Sequence, residues 1–442
     1  MAVKRRADVR DAVVNSLMRT QNRSKFSNLE LDSALEKYDF TQKDRALFTA
    51  LYYGVIERQI TLDRIISELS TRKIETIDGR ALQILRMALY QLIYMDRIPE
   101  HAAVSSAVEL THKGGTDSFV NALLRSYLRS KDKFLPENTG LSGAELISYK
   151  HSVPVWMIDE WTEDYGADMA EKIAAASNMH PYMTLRVNTL AGNRESVIKE
   201  LAVNDVEATA DLSCESAVHL KSNYPIDKIT VIKNGRAFVQ DLASQLCCEA
   251  LSPIEDETVL DVCACPGGKS FSIAMLMNNK GRILSSDLHK SKLSLVSNGA
   301  EKLGIDIIET SVRDGREPMP ELFGTADKIL CDVPCSGLGV LAKKPDIRHK
   351  NQEDVIKLPD VQYAILKNSA EYLKVGGTLV YSTCTVRRAE NENVIEKFVL
   401  EDDRFVFESF SVGDYQAPSG RLTIFPSEKT DGFFISKIKR IK

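Results

Sequence analysis

The amino-acid sequence predicts a multidomain protein with an all-α N-terminal bundle, a small α/β subdomain and a C-terminal α/β doubly wound, Rossmann-like domain. Two observations predict this fold class. Residues 1 to about 130 show almost only helical periodicity, and strand and helix patterns alternate from residue 258 onward. Because 442 residues suffice for two or three domains, we place the boundaries at 1–135, 145–245 and 246–442.

The N-terminal bundle is predicted from apolar residues three and four positions apart. The clearest stripe, in residues 80–94, consists of Leu82, Leu85, Ala88, Leu89 and Leu92. Weaker patterns predict helices at 9–18, 44–56, 60–69, 104–110 and 118–128. Residues 131–140 contain Pro, Asn and Gly, which indicates a linker.

The remainder of the chain mixes both element types. Helices are predicted at 155–165 and 169–177, and strands at 184–188, 217–220 and 237–240. In the C-terminal domain, the predicted strands are 258–263, 282–286, 306–310, 328–332 and 378–382. The predicted helices there are 269–277, 291–303, 355–373 and 390–400. Such alternation favours a mostly parallel sheet, to which residues 431–439 add an antiparallel strand.

Composition and charge limit the function classes. The net charge of −5 gives no overall attraction to nucleic acid, although the first 140 residues are slightly basic. No apolar stretch is long enough to span a membrane, and no apolar signal segment follows the basic start of the chain, so a cytoplasmic protein is expected. The eight cysteines and seven histidines show no zinc-ligand spacing, so free thiols and no metal are expected.

A glycine-containing segment follows the first strand of the C-terminal domain. Residues 260–269 are Leu-Asp-Val-Cys-Ala-Cys-Pro-Gly-Gly-Lys, and the two glycines allow a ligand to approach the backbone closely. In doubly wound sheets, ligands bind beyond the carboxyl ends of the strands. Asp287 ends the next strand, where an acid commonly accepts hydrogen bonds from the ribose of an adenosine cofactor.

The form of this segment favours one cofactor. Neither Gly-x-Gly-x-x-Gly nor the phosphate-binding Gly-x4-Gly-Lys-Ser/Thr occurs, which disfavours hydride and phosphoryl transfer. A looser glycine pair with an acid on the second strand suits S-adenosylmethionine, whose sulfonium is positively charged. We expect Asp261 near the methionine end of this cofactor and Asp314 near its adenine amino group.

Two more segments place cysteines at strand ends, namely Asp-Val-Pro-Cys-Ser-Gly at 332–337 and Tyr-Ser-Thr-Cys-Thr at 381–385. In a parallel sheet, Cys335 and Cys384 both lie at the edge where the cofactor binds. A thiolate that adds to C6 of cytosine makes C5 nucleophilic enough to take a methyl group. Protonated Asp332 is the natural partner of ring N3, and the charge of Lys269 is expected to lower the pKa of a nearby thiol.

These motifs, in this order, resemble the NOL1/NOP2/Sun family of RNA cytosine-C5 methyltransferases over residues 150–442. The resemblance implies that Cys384 is the nucleophile and that Cys335 assists release of the methylated RNA. The implied contacts to S-adenosylmethionine are Cys263, Ala264, Cys265, Pro266, Gly267, Gly268, Lys269, Asp287, Asp314 and Asp332. The basic residues 343–348 also resemble the Arg-rich Pro-Asp segment of the family.

The N-terminal bundle resembles the NusB RNA-binding fold. With the catalytic motifs, this implies a bacterial enzyme that methylates one cytosine of 16S ribosomal RNA. The base must be unstacked to expose C5 and C6, so an unpaired or loop cytosine is expected. We expect a monomer, with neither DNA nor a membrane as a partner.

Two other functions are considered. A DNA cytosine-C5 methyltransferase uses similar ring chemistry, but it normally carries its nucleophile in the Pro-Cys segment and needs no second strand-end cysteine. A non-catalytic ribosome-assembly or antitermination factor would bind RNA through the helical bundle without methyl transfer. The intact catalytic motifs argue against such a non-catalytic factor.

Overall fold

The computed structural model describes residues 8–21, 27–111, 115–222 and 224–442. The basic start of the chain, at residues 1–7, lies outside the described residues. The chain divides into two compact units, one formed by residues 1–178 and 343–350 and the other by 179–342 and 351–442. A helical N-terminal part and a doubly wound C-terminal sheet confirm the predicted fold class.

The first unit is helical. Its helices are α1 (Val9–Gln21), α2 (Ser27–Lys37), α3 (Gln42–Leu69), α4 (Gly79–Tyr94), α5 (Glu100–Thr111), α6 (Asp117–Arg129), α7 (Gly143–His151), α8 (Val155–Tyr165) and α9 (Ala167–Ala176). Two separate helices were predicted within α3, and this was wrong because buried residues continue on one face through Ile56 and Leu62 with no Gly or Pro between them. The predicted linker contains two short 3₁₀ turns, Lys131–Phe134 and Pro136–Asn138.

Arg348 is a buried cation of this first unit, with 1% of its surface exposed. Its guanidinium donates to the carbonyl oxygens of His151 (3.1 Å) and Ser177, at the ends of α7 and α9, and of Glu57 (2.9 Å) in α3. A cation at these helix ends offsets the partial negative charge of their free carbonyls. Burial lowers the pKa of Arg348 to about 10. This member of the basic segment 343–348 therefore stabilises the helical unit.

The second unit begins with a small antiparallel sheet. Its strands are β1 (Met183–Val187), β2 (Ala208–Ala210), β3 (Ala217–Leu220) and β4 (Ala237–Val239), in the order β2-β3-β1-β4. The helix α10 (Arg194–Val203) and the short α11 (Thr230–Lys233) accompany this sheet. Leu185, Val187, Val197 and Leu201 belong to one buried cluster, so one face of the sheet packs against α10.

A larger sheet follows. Its strands are β5 (Thr258–Asp261), β6 (Arg282–Asp287), β7 (Ile308–Val312), β8 (Ala326–Asp332), β9 (Leu373–Thr383), β10 (Phe405–Phe407), β13 (Arg421–Ile424) and β14 (Phe433–Arg440), while β11 (Phe410–Val412) pairs with β12 (Tyr415–Ala417). The helices are α12 (Leu242–Leu251), α13 (Gly268–Leu276), α14 (Lys290–Leu303), α15 (Leu358–Ala370) and α16 (Glu392–Glu401). β14 runs antiparallel to β9, as predicted.

The strands of this sheet lie in the order β10-β14-β9-β8-β5-β6-β7. This order shows at which edge of the sheet a ligand is expected to bind. The order reverses between β5 and β8, which pair in parallel. Ligands of doubly wound sheets bind at such a reversal, outside the carboxyl ends of the strands. Asp261 ends β5 and Asp332 ends β8, so the predicted cofactor and thiol motifs meet at this point.

Several predicted element ends are wrong, and three of them have a clear physical reason. β5 ends at Asp261, two residues earlier than predicted, because residues 262–263 already turn toward the glycine segment. α15 ends at Ala370, since Leu373 pairs with Ala326 as the first residue of β9. α16 begins at Glu392 and not at Glu390, whose side chain is turned into the interior.

Within the described residues, no helix is both long enough and apolar enough to cross a membrane.

Candidate active site

The segment between β5 and α13 forms a tight loop. The Ala264 N–H donates to the Ser286 carbonyl of β6 at 2.9 Å, and the Gly267 N–H donates to the Ala264 carbonyl at 2.7 Å. Gly267 has φ 111°, and a Cβ there would lie 2.6 Å from the Phe271 ring, so only glycine fits. The loop therefore directs the backbone N–H groups at the start of α13 toward the sheet edge.

Asp261 supplies a buried carboxylate beside this loop. The Ser270 hydroxyl donates to its Oδ2 at 2.6 Å, whereas its buried Oδ1 has no hydrogen-bond partner within the part of the chain that the structure describes. Burial raises the pKa of Asp261 to about 7. An unpartnered carboxylate oxygen in this position favours a ligand that is positively charged or donates hydrogen bonds.

Asp287 and Asp314 stand at the same edge, farther along the sheet. Asp287 ends β6 and pairs with Val312 of β7, and its Oδ1 accepts the His289 N–H at 2.9 Å. Asp314 follows β7, and its Oδ2 accepts from Arg316 at 2.6 Å. Hydrogen bonds from Arg316 lower the pKa of Asp314 to about 2. Both carboxylates are thus acceptors for hydroxyl and amino groups.

These residues fit S-adenosylmethionine. The loop permits close backbone approach, and the unpartnered oxygen of Asp261 suits the positive charge of the methionine part. Asp287 is positioned for the ribose hydroxyls, as in other adenosine-binding α/β sheets. The structure therefore brings together the predicted cofactor residues from β5, the glycine loop, β6 and β7.

Asp332 anchors a second group of polar residues at the end of β8. Its Oδ2 accepts from Lys269 Nζ at 2.7 Å, and its Oδ1 accepts the Ser382 hydroxyl at 2.8 Å. Burial lowers the pKa of Lys269, but the charge of Asp332, the hydrogen bond to it and the nearby thiols of Cys247 and Cys248 together raise that pKa above its ordinary value. Both oxygens of Asp332 therefore accept hydrogen bonds, and Lys269 bonds to Asp332 and not to the sulfur of Cys335 or Cys384.

Cys335 and Cys384 lie side by side. Their sulfur atoms are 2.9 Å apart, neither cysteine forms a disulfide, and both residues are partly exposed. The hydrogen bond with Cys384, together with burial, raises the pKa of Cys335 well above its ordinary value. Two partly exposed sulfurs beside a carboxylate can act in turn on one planar base.

Backbone contacts hold the two cysteine turns together. The Gly339 N–H donates to the Cys384 carbonyl at 3.1 Å, and the Gly432 N–H donates to the Gly339 carbonyl at 2.8 Å. The Ser336 hydroxyl donates to the Thr385 hydroxyl at 2.9 Å. The separation of the sulfurs is therefore fixed by the turns that carry them.

Sequence reasoning missed several residues that support this site. They are Ser270, Ser382, Gly339, Gln362, Arg387, Glu390 and Asn391. Ser382 and Gly339 lie inside the recognised motifs, and that position was the available signal. The run Glu-Asn-Glu-Asn at 390–393 was included in a predicted helix, although polar residues before an apolar helix are also typical of a cap.

No group of three or more His, Cys, Asp or Glu side chains among the described residues is arranged to hold a metal ion.

Comparisons with known proteins agree with this geometry. A family model described as 16S rRNA methyltransferase RsmB/F matches residues 248–439, a NusB family model matches 7–129, and a ferredoxin-like domain model of RsmF/B-like methyltransferases matches 153–227. The chain is 37% identical to the probable ribosomal RNA small subunit methyltransferase B of Bacillus subtilis, with 99% of both chains covered. It is 35% identical to the protein of the same description from Synechocystis, covering 95% of this chain and 96% of that one.

Solved structures show the same fold. The crystal structure of PH0851 covers 99% of this chain and 100% of its own, with a TM-score of 0.80 and 25% identity. The structure of NSun6 from Pyrococcus horikoshii with SFG covers 66% of this chain and 100% of its own, with a TM-score of 0.60 and 21% identity.

We expect Gly339→Ala to loosen the cysteine turns. The new Cβ would lie 1.9 Å from the Gly432 carbonyl oxygen and 2.9 Å from that of Cys384, so backbone must shift. Such overpacking lowers the free energy of unfolding by roughly 1–3 kcal/mol. Chemical denaturation of both proteins measures the loss.

The matched control is Gly79→Ala, where the nearest atom would lie 3.4 Å away, on the flexible Met18 side chain. The control should retain wild-type stability. Equal stability of both variants would contradict the importance of the Gly339 contact.

Proposed function

We propose that this chain, which belongs to the 16S rRNA methyltransferase RsmB/F family, transfers a methyl group from S-adenosylmethionine to C5 of a cytosine in 16S ribosomal RNA. The observation that carries this proposal is the 2.9 Å approach of the Cys335 and Cys384 sulfurs beside Asp332, at the edge where the cofactor residues gather. The substrate is inferred from the relatives, and the position on the base from the chemistry of the thiols.

Cys384 is the proposed nucleophile. Its thiolate adds to C6 of the flipped-out base, and this addition makes C5 nucleophilic. S-adenosylmethionine supplies the methyl group for C5. In the last step the C5 proton passes to water, the bond between C6 and the Cys384 sulfur breaks with the electron pair remaining on sulfur, and the N3 proton returns through Asp332 to Lys269. The S–H of Cys335 is near enough to donate a hydrogen bond to that departing thiolate.

Asp332 and Lys269 act on the other side of the ring. Ring N3 accepts a proton as the thiolate adds, and Asp332 must carry a proton to supply it. Lys269 Nζ, 2.7 Å from the Asp332 carboxylate, is the neighbouring acid. We propose that a proton moves from Lys269 to Asp332 as Asp332 protonates N3. Ser382 keeps the carboxylate oriented during this transfer.

An unpaired or loop cytosine is the proposed target, because the base must leave its stack. We propose residues 1–135, 145–245 and 246–442 as the domains, a monomer as the active form and the cytoplasm as its location.

Separate substitutions of the two cysteines test the roles of the thiols. We expect Cys384→Ala to abolish both methyl transfer and any covalent complex with unmodified 16S rRNA, because no sulfur adds to C6. Cys335→Ala should still form the complex but fail to release it. Labelled-methyl incorporation and a denaturing gel measure both outcomes.

A DNA methyltransferase of the usual type would show the reverse pattern, with the complex lost in Cys335→Ala. No incorporation into 16S rRNA by the wild-type protein, under conditions where it binds the cofactor, would refute the proposed activity. Incorporation into duplex DNA instead would favour the DNA enzyme.

Asp332→Asn tests the proton path at N3. The amide retains the shape but cannot relay a proton, so methyl transfer should fall by about 10²–10⁴-fold. Affinity for S-adenosylhomocysteine, measured by calorimetry, should change little, since the main task of the carboxyl group is at the base.

Ser382→Ala is the matched control, because it removes one hydrogen bond to the same carboxylate and keeps the carboxylate itself. It should reduce turnover far less than Asp332→Asn does. Similar turnover in both variants would show that orientation, and not proton transfer, is the contribution of Asp332.

A further inference from the structure

A fully buried carboxylate lies behind the cysteine turns, and the chemistry above gives it no role. Glu390 is 0% exposed. Its Oε2 accepts the Ser336 N–H at 2.8 Å and Nε2 of Gln362 at 2.9 Å, while its Oε1 accepts from Arg387 at 3.0 Å. The Glu390 side chain thus accepts hydrogen bonds from three donors, one of which is a cation.

These contacts connect Glu390 to both cysteine turns. Ser336 follows Cys335 directly, and Gln362 also donates to the Pro334 carbonyl on the other side of that cysteine, at 2.9 Å. Arg387 lies three residues after Cys384. On the strand that carries Cys384, the Tyr381 hydroxyl donates to the backbone carbonyl of Glu390 at 2.6 Å.

The same carboxylate acts on the charge state of Cys335. The titratable and charged groups that face Cys335 from the packed elements are Cys384, Glu390, Asp332 and Tyr381, with Arg387 and Lys269 as counter-ions of the two carboxylates. After the hydrogen bond with Cys384 and burial, the negative charge of Glu390 further raises the pKa of Cys335. Like charge disfavours a second anion nearby.

We infer that Glu390 is a positioning residue that keeps the thiol proton on Cys335, so that Cys384 is the sulfur that adds to the base and later leaves it. This inference rests on the proposed function. During release, the protonated Cys335 donates a hydrogen bond to the Cys384 thiolate as the bond to C6 breaks. An ionised Cys335 would instead place a like charge 2.9 Å from the leaving sulfur and hold the adduct together.

The decay of the covalent RNA complex as a function of pH tests this role. Decay should slow as pH rises and Cys335 loses its proton. In Glu390→Gln the lost negative charge makes Cys335 more acidic, so the slowing should begin about 1 pH unit lower. In Arg387→Met the charge of Glu390 is less compensated, and the slowing should begin at higher pH.

If the effect is electrostatic, the pH at which decay slows should shift in opposite directions in Glu390→Gln and Arg387→Met. Loosened packing would shift it in the same direction in both variants. Gln362 is an uncharged partner of the same carboxylate. Gln362→Met should therefore leave unchanged the pH at which decay of the complex slows. Should a single variant unfold, the double variant Arg387→Met/Glu390→Gln removes both charges and should shift in the direction of Glu390→Gln. Thermal melting and S-adenosylhomocysteine binding verify that each variant is folded.

Equal pH dependence in the wild type and in folded Glu390→Gln would overturn the inference, as would shifts of one sign in both single-charge variants. Neither result affects the proposed activity. The proposed function fails by a separate observation, namely the absence of any covalent complex in both the wild type and Cys335→Ala.

Discussion

The parallel pairing of β8 with β9 is the constraint on which the site depends. Asp332 pairs with Ser382, so the turns that follow the two strands start side by side. From there, three residues lead to Cys335 and two lead to Cys384, and the contact of Gly339 with the Cys384 backbone keeps the turns from separating. A shift of register by one residue would turn Ser382 away from Asp332 and move both sulfurs.

The charges of the site follow from the same arrangement. Carboxylates end β5, β6 and β8, and Lys269, at the start of α13, bonds to Asp332. Asp261 is bonded instead by the neutral Ser270 hydroxyl, and its buried Oδ1 has no hydrogen-bond partner among the described residues. The cofactor side therefore favours a positive ligand, while on the side proposed for the base a proton donor, Lys269, and a proton acceptor, Asp332, share one hydrogen bond. The carboxylates of Asp261 and Asp332, at the ends of the neighbouring strands β5 and β8, thus suit two different tasks, cofactor binding and proton transfer.

The sequence was sufficient for the parts of the site that depend on short segments. The strands and the motif residues that follow them could be placed, although strand ends differ by up to two residues, because the period of two and the glycine loop are local signals. Glu390 could not be identified, since its partner Ser336 lies 54 residues away and the direction of a side chain depends on tertiary packing. Arg348 was missed for a similar reason. A basic run usually indicates a solvated surface, and only the fold shows that its guanidinium binds helix-end carbonyls.

The chain has eight cysteines, and the proposed function assigns the nucleophile to one of them, Cys384. Burial raises the pKa of Cys214, Cys247, Cys248, Cys263, Cys265 and Cys331, and the bond with Cys384 together with burial raises that of Cys335. A thiol reacts as its thiolate, so these seven are poor nucleophiles at neutral pH. Cys265 is partly exposed, but burial and its neighbour Asp287 raise its pKa to about 12. The proposed choice of Cys384 is therefore favoured by the raised pKa of each of the other seven cysteines, including Cys335, whose sulfur is in contact with it.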